Sequence, residues 1–164
     1  MKKKLFTGSG VAIVTPFTET GIDFEKLALL TEYQVQHQTD AIIVCGTTGE
    51  SSTLSEKEHC EVLSFVSEKI NGRIPVIAGT GSNDTVHAVK LSNDAEQCGV
   101  DGLLMVTPYY NKTSQNGLIR HYFKLADNLS KPIFVYNVPS RTGMNISPAT
   151  YKKLSVHPNI VGVK

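Results

Sequence analysis

The sequence predicts an α/β fold of the (β/α)8 barrel kind, of which it holds the first six strands and five helices. Three observations carry this. Apolar runs alternate without a break with helical patterns. The strand–helix unit recurs about every thirty residues, the rhythm at which eight units make a barrel of roughly 250. Clusters of glycine, hydroxyl and aromatic residues follow the strands, whereas plain connectors such as Asn71-Gly72-Arg73 and Ser130-Lys131-Pro132 precede them. A doubly wound open sheet is the alternative. Its dinucleotide fingerprint is missing. Gly79-Thr80-Gly81-Ser82-Asn83-Asp84 lacks the third glycine and follows the third strand, so it reads as a turn and a helix cap.

The first strand is expected at residues 11–14, and Asp23 can cap the helix that follows. The second strand is the run 41–45. Ser55 with Glu58 forms a capping box that opens the second helix. Strands at 74–78 and 102–106 come next. Leu118, Tyr122, Leu125 and Leu129 then recur on one helical face. After the strand at 133–136, Ser147 and Pro148 suit the cap and first turn of the fifth helix. The sixth strand, 160–163, ends on Lys164. These strands are continuous apolar runs rather than alternating ones, as in a parallel sheet covered on both faces.

At 164 residues the chain is long enough for one domain with a core. With 40% hydrophobic residues and a net charge of +1, neither disorder nor a nucleic-acid partner is expected. Lys2, Lys3 and Lys4 resemble the start of a signal peptide, but Thr15, Pro16 and Thr18 interrupt the apolar stretch behind them. No targeting or membrane-spanning segment is expected. Cys45, Cys60 and Cys98 are odd in number and include no CxxC pair, which fits reduced thiols in the cytoplasm. Cys45 closes an apolar strand and reads as a small core residue. His37, His59, His87, His121 and His157 show no metal-ligand spacing, so no metal site is expected.

Position gives the polar motifs their meaning. Gly46-Thr47-Thr48-Gly49-Glu50 follows the second strand, and Gly79-Thr80-Gly81 the third. Thr107-Pro108-Tyr109-Tyr110-Asn111 follows the fourth, and Tyr136-Asn137-Val138-Pro139-Ser140-Arg141-Thr142-Gly143 spans the end of the fifth. In barrels this C-terminal face carries the active site. Each motif has a plainer reading beside the functional one. Lys164 is either a solvated lysine or, if a low-dielectric pocket takes it, a nucleophile toward ketones. Gly46 and Gly49 permit a tight turn, or Thr47 and Thr48 cradle a carboxylate. Tyr136 is a core aromatic or a proton shuttle. Arg141 makes a surface ion pair or clamps a carboxylate. Jointly they converge on a pocket for an α-keto acid.

These motifs, with the strand ending Gly162-Val163-Lys164, resemble the dihydrodipicolinate synthase (4-hydroxy-tetrahydrodipicolinate synthase) family over the whole chain. That family belongs to the pyruvate-dependent class I aldolases, with N-acetylneuraminate lyase. The resemblance implies a lyase of lysine and diaminopimelate biosynthesis, needing no cofactor. Lys164 would form the imine with pyruvate, Tyr136 would pass protons, and Thr47 would join Tyr136 to Tyr110 in a hydroxyl relay. Thr48 would bind the pyruvate carboxylate, and Arg141 the carboxylate of aspartate 4-semialdehyde. Tyr110 would reach in from a neighbouring subunit, which implies a homo-oligomer, a dimer or a tetramer.

Family members are longer, with two more barrel strands and a helical C-terminal region. Residues 1–164 are therefore expected to be the N-terminal portion of a single barrel domain, ending at the Schiff-base lysine. Alone, this portion is expected to be inactive or poorly soluble, because open strand edges invite pairing. A sugar-acid aldolase of the N-acetylneuraminate lyase type, or an inactive half-barrel acting in assembly, are the competing readings. In regulated members lysine binds between two subunits. Ser51, His59, Asn83 and Tyr109 match polar and aromatic positions of that effector site. Glu56 stands where histidine is common and His87 where glutamate is common, so weak lysine inhibition is expected.

Overall fold

The computed structural model describes residues 4–164. Lys2 and Lys3 of the basic run lie outside the described residues. Strand β1 (Gly10–Ala12) leads into a small hairpin, β2 (Phe17–Thr18) and β3 (Gly21–Ile22), and then α1 (Phe24–Gln36). There follow β4 (Ala41–Val44), α2 (Glu56–Ile70), β5 (Val76–Gly79), α3 (Thr85–Gln97), β6 (Gly102–Val106), α4 (Gln115–Asn128) and β7 (Ile133–Tyr136). A single-turn helix, α5 (Pro139–Thr142), precedes α6 (Pro148–Leu154) and β8 (Ile160–Val163). Six strands form one sheet in the order β1-β4-β5-β6-β7-β8, and every neighbouring pair is parallel. Among the described residues no pairing joins β1 to β8, so the barrel-like sheet has two free edges.

Three expected caps form. The carboxylate of Asp23 accepts from Lys26 N, the capping box of Ser55 and Glu58 is complete, and the hydroxyl of Ser147 accepts from Thr150 N. Three strands start or stop slightly differently from the sequence reading. Cys45 takes a left-handed φ of 53°, which ends β4 one residue early. β1 stops at Ala12 rather than residue 14. Pro75 has no N–H for the ladder, and β5 starts after it. The hairpin and α5 were not expected; both are too short to carry a periodicity.

The alternation along β4 explains the continuous apolar runs. Ile42 and Val44 pack outward with Leu27, Val62, Leu63 and Val66 of the helical layer. Ala41 and Ile43 join Ile77 and Leu104 in a second cluster inside the curve of the sheet, against Phe6, Phe134 and Tyr136. Tyr122 is wholly buried and satisfies its hydroxyl by donating to Met105 O at 3.0 Å. The β7–β8 pairing carries an irregularity. Ile133 faces Ile160, but Phe134 faces Gly162, which leaves Val161 as an extra residue in β8. A Cβ on Gly162 would lie 2.7 Å from the Phe134 ring, so only glycine fits that close approach.

His121 of α4 gives the fold an acid limb. It is 5% exposed, and burial pushes its pKa down to about 4. Burial depresses His59 in the same direction. A histidine in the unfolded chain titrates near 6.5. Because the folded value lies lower, the unfolded state takes up the proton first as pH falls. Stability should therefore be flat above pH about 6.5 and decline toward pH about 4. For His121 the loss between pH 7 and 5 should be about 2 kcal/mol. Urea unfolding at the two pH values checks this, with His121→Gln expected to lose roughly that much less than the parent. Equal losses in both proteins would contradict it.

Candidate active site

The site is built on the C-terminal ends of the strands. After β4 the loop is pinned by Thr15, whose hydroxyl donates to Gly49 O at 2.8 Å. Thr47 and Thr48 are exposed on this loop. Cys45 behind them is buried, and desolvation raises its thiol to about 12, which makes it a core group rather than a nucleophile. After β5, a Cβ on Gly79 would meet Cys45 O at 2.3 Å, and one on Gly81 would meet Val106 N at 2.4 Å. These two glycines let the neighbouring backbones close in. Asp84 caps α3, as the reading of this segment as a turn and cap requires.

After β6, Tyr110 takes a left-handed φ of 62° and stands 90% exposed. After β7, the Asn137 side chain holds the returning loop. Its Nδ2 donates to Asn145 Oδ1 at 2.8 Å, and its Oδ1 accepts from Ile146 N at 3.3 Å. That closure carries α5, and Arg141 sits in its last turn, exposed and without an ion pair among the described residues. Asn137 lies within a motif the sequence reading used, but its anchoring role had no sequence signal.

Lys164 is fixed by the β7–β8 ladder. Its N–H donates to Val135 O at 2.9 Å, and its carbonyl accepts from Asn137 N at 3.0 Å. The ammonium lies over the Tyr136 ring, 4.3 Å from the centroid. Lys164 also borders a cavity of about 190 Å³ in the interior of the sheet, walled by Phe6, Ile43, Leu104 and Phe134. The sequence leaves Lys164 open between a solvated lysine and one held by a low-dielectric pocket; among the described residues it is exposed, with the apolar wall of this cavity on one side.

A groove of about 700 Å³ collects most of the other candidates. Thr47, Tyr110 and Arg141 line it, and so do Ser51, His59, Asn83, His87 and Tyr109 of the possible effector set. Thr48, Tyr136, Lys164 and Glu56 do not. No hydrogen bond joins Thr47 to Tyr136 or Tyr110 among the described residues, so the three-hydroxyl relay is not assembled within this chain. His59 Nε2 lies 2.9 Å from Gly79 O. The two exchanged residues meet each other: Glu56 Oε1 lies 3.5 Å from His87 Nδ1. Lys90 also pairs with Glu56, and with Asp94 at 3.2 Å. Lys90 escaped the sequence reading, since only the fold brings α2 and α3 side by side.

The sequence profile of the dihydrodipicolinate synthetase family matches residues 5–164. The 4-hydroxy-tetrahydrodipicolinate synthase of Acetivibrio thermocellus is 55% identical over 164 residues, which are all of this chain and 56% of the relative. Dihydrodipicolinate synthase from Aquifex aeolicus superposes with a TM-score of 0.94 at 50% identity, covering 97% of this chain and 55% of that one. The chloride-inhibited dihydrodipicolinate synthase from Acinetobacter baumannii, solved complexed with pyruvate, gives a TM-score of 0.95 at 46% identity, covering 98% and 55%. The chain thus spans about half the length of the relatives it matches. With the family profile matched over residues 5–164, the chain belongs to the dihydrodipicolinate synthetase family.

Proposed function

We propose that the protein serves diaminopimelate and lysine biosynthesis by condensing pyruvate with L-aspartate 4-semialdehyde to give 4-hydroxy-tetrahydrodipicolinate. The observation that carries this reading is Lys164 standing over the Tyr136 ring at the C-terminal end of a parallel barrel sheet. Residues 1–164 would form the N-terminal portion of one barrel domain. The Lys164 amine adds to the pyruvate ketone, and water leaves to give an iminium. Loss of a methyl proton makes the enamine, which attacks the aldehyde carbon. The substrate amine then displaces Lys164 as the ring closes. Tyr136 supplies and takes the protons. Thr48 and its loop amides hold the pyruvate carboxylate, and Arg141 the carboxylate of the second substrate. The iminium is itself the electron sink, so the chemistry calls for no organic cofactor.

The exposure of Tyr110 favours a homo-oligomer in which this ring crosses to a neighbour and completes the relay with that subunit's Thr47. Three free thiols suit a reducing, cytoplasmic setting. No helix among the described residues is long and apolar enough to cross a membrane.

Arg141 separates this reading from a sugar-acid aldolase, since a guanidinium clamp suits a carboxylate better than a polyol. Given both aldehydes with pyruvate, the protein should turn over the semialdehyde and neglect the sugar. Arg141→Ala should raise the KM for the semialdehyde by about tenfold or more while leaving that for pyruvate nearly unchanged. Preference for the sugar, or an unaltered semialdehyde KM in the variant, would overturn the assignment.

Feedback by lysine is expected to be weak. His87 has replaced an acid that could meet the effector's ammonium. Glu56, the only candidate substitute, already neutralises Lys90. Loss of one charge-assisted hydrogen bond costs roughly 1.5–3 kcal/mol, or one to two decades in affinity. A lysine titration of the initial rate checks this; strong inhibition at low concentration would show Glu56 released from Lys90 to bind the effector.

A further inference from the structure

A second polar cavity, of about 300 Å³, lies between the 109–113 loop and α4 and shares Asn83 with the groove described above. Lys112 and Arg120 line it with Asn83, Asn111 and Thr113, and no acidic side chain does. Neither cation forms an ion pair among the described residues. Lys112 lies along Gly143, where a Cβ would come within 3.0 Å of its Nζ. His121, 5% exposed, is also part of this wall. Its Nδ1 is 2.8 Å from Thr85 Oγ1, and its Nε2 is buried without a partner. Buried polar atoms are nearly always paired, so an orphan beside a cationic cavity marks a place where a ligand completes the set. If Thr85 donates to Nδ1, the neutral ring carries its proton on Nε2, a donor with no partner behind the wall.

We propose that this cavity binds a small phosphate-bearing anion, either inorganic phosphate or a phosphate monoester. Lys112 and Arg120 stand on the cavity wall with Asn83 and Asn111, whose Nδ2 donates to Asn83 O at 3.2 Å, and with His121 beneath them. Such a set matches an anion that carries nearly two charges and has three or more acceptor oxygens, better than it matches a single carboxylate. The proposal is independent of the condensation chemistry, because its readout is binding.

The test is calorimetric titration of inorganic phosphate, and separately of glycerol phosphate, into the folded protein in chloride-free buffer. Saturable binding of one anion per chain is expected. Arg120→Gln and Lys112→Gln should each weaken it about tenfold or more. Lys57→Gln, at an exposed residue outside the cavity, should leave it unchanged. Tighter binding of the monoester would identify an organic phosphate as the ligand; equal binding would identify phosphate itself. The ring 15N signals of His121 should shift on saturation. Binding that does not saturate, that survives both cavity variants, or that Lys57→Gln weakens equally would overturn the proposal.

Discussion

Borohydride added to the protein with pyruvate is expected to leave a reduced pyruvyl group on the peptide ending in Lys164, and on no other lysine. The chain holds several other lysines, but Lys164 is the one seated at the end of β8 with its N–H and its carbonyl bonded to β7 and the residue after it. It also combines an apolar wall with a phenol beside its ammonium. Replacing Lys164 by Ala should abolish trapping and lower turnover on the order of 10⁴–10⁶-fold, the scale on which a covalent nucleophile's removal is felt. Peptide mass mapping after reduction reads the first result and a coupled assay the second. An adduct elsewhere, with condensation intact in the variant, would sink the mechanism.

The second large effect is expected at Tyr136. Tyr136→Phe keeps the ring that packs with Ile43 and Leu104 and removes only the hydroxyl. Folding should therefore be little changed. Turnover should fall about 10²–10⁴-fold, the usual contribution of a placed acid–base group. The KM for pyruvate should move far less, because in the proposed mechanism the carboxylate is held by Thr48 and its loop. Near-normal turnover would reduce Tyr136 to a core aromatic. A variant that lost stability as well as rate would place its hydroxyl in the fold's own hydrogen bonding.

Local chemistry accounts for what the sequence made legible. Asp23, the Ser55–Glu58 pair and Ser147 cap their helices through contacts three residues away, so their spacing is enough to find them. Strand order was legible because each helical connection returns the chain beside the previous strand. Long-range placement accounts for what was not. The Glu56–Lys90 pair joins two helices, and the orphaned Nε2 of His121 depends on what surrounds it. An apolar run shows that a strand is buried somewhere along its length, but not that its last residue is.

The extra residue in β8 decides which way the chain's last side chain points. Ile133 and Val135 of β7 turn toward the helices, while Phe134 and Tyr136 turn inward. With strict one-for-one pairing from Ile160, Lys164 would stand level with Asn137, out of phase with Tyr136. Val161 absorbs one step, so that Gly162 meets Phe134, Val163 meets Val135 and Lys164 comes level with Tyr136. Side chains along a strand obey a parity rule, and a single inserted residue reverses it. The chemistry proposed at Lys164 thus rests on an odd count made three residues earlier, at Val161. Flattening the bulge with Val161 kept in the ladder would leave the lysine in the sequence and turn it to the wrong side of the wall.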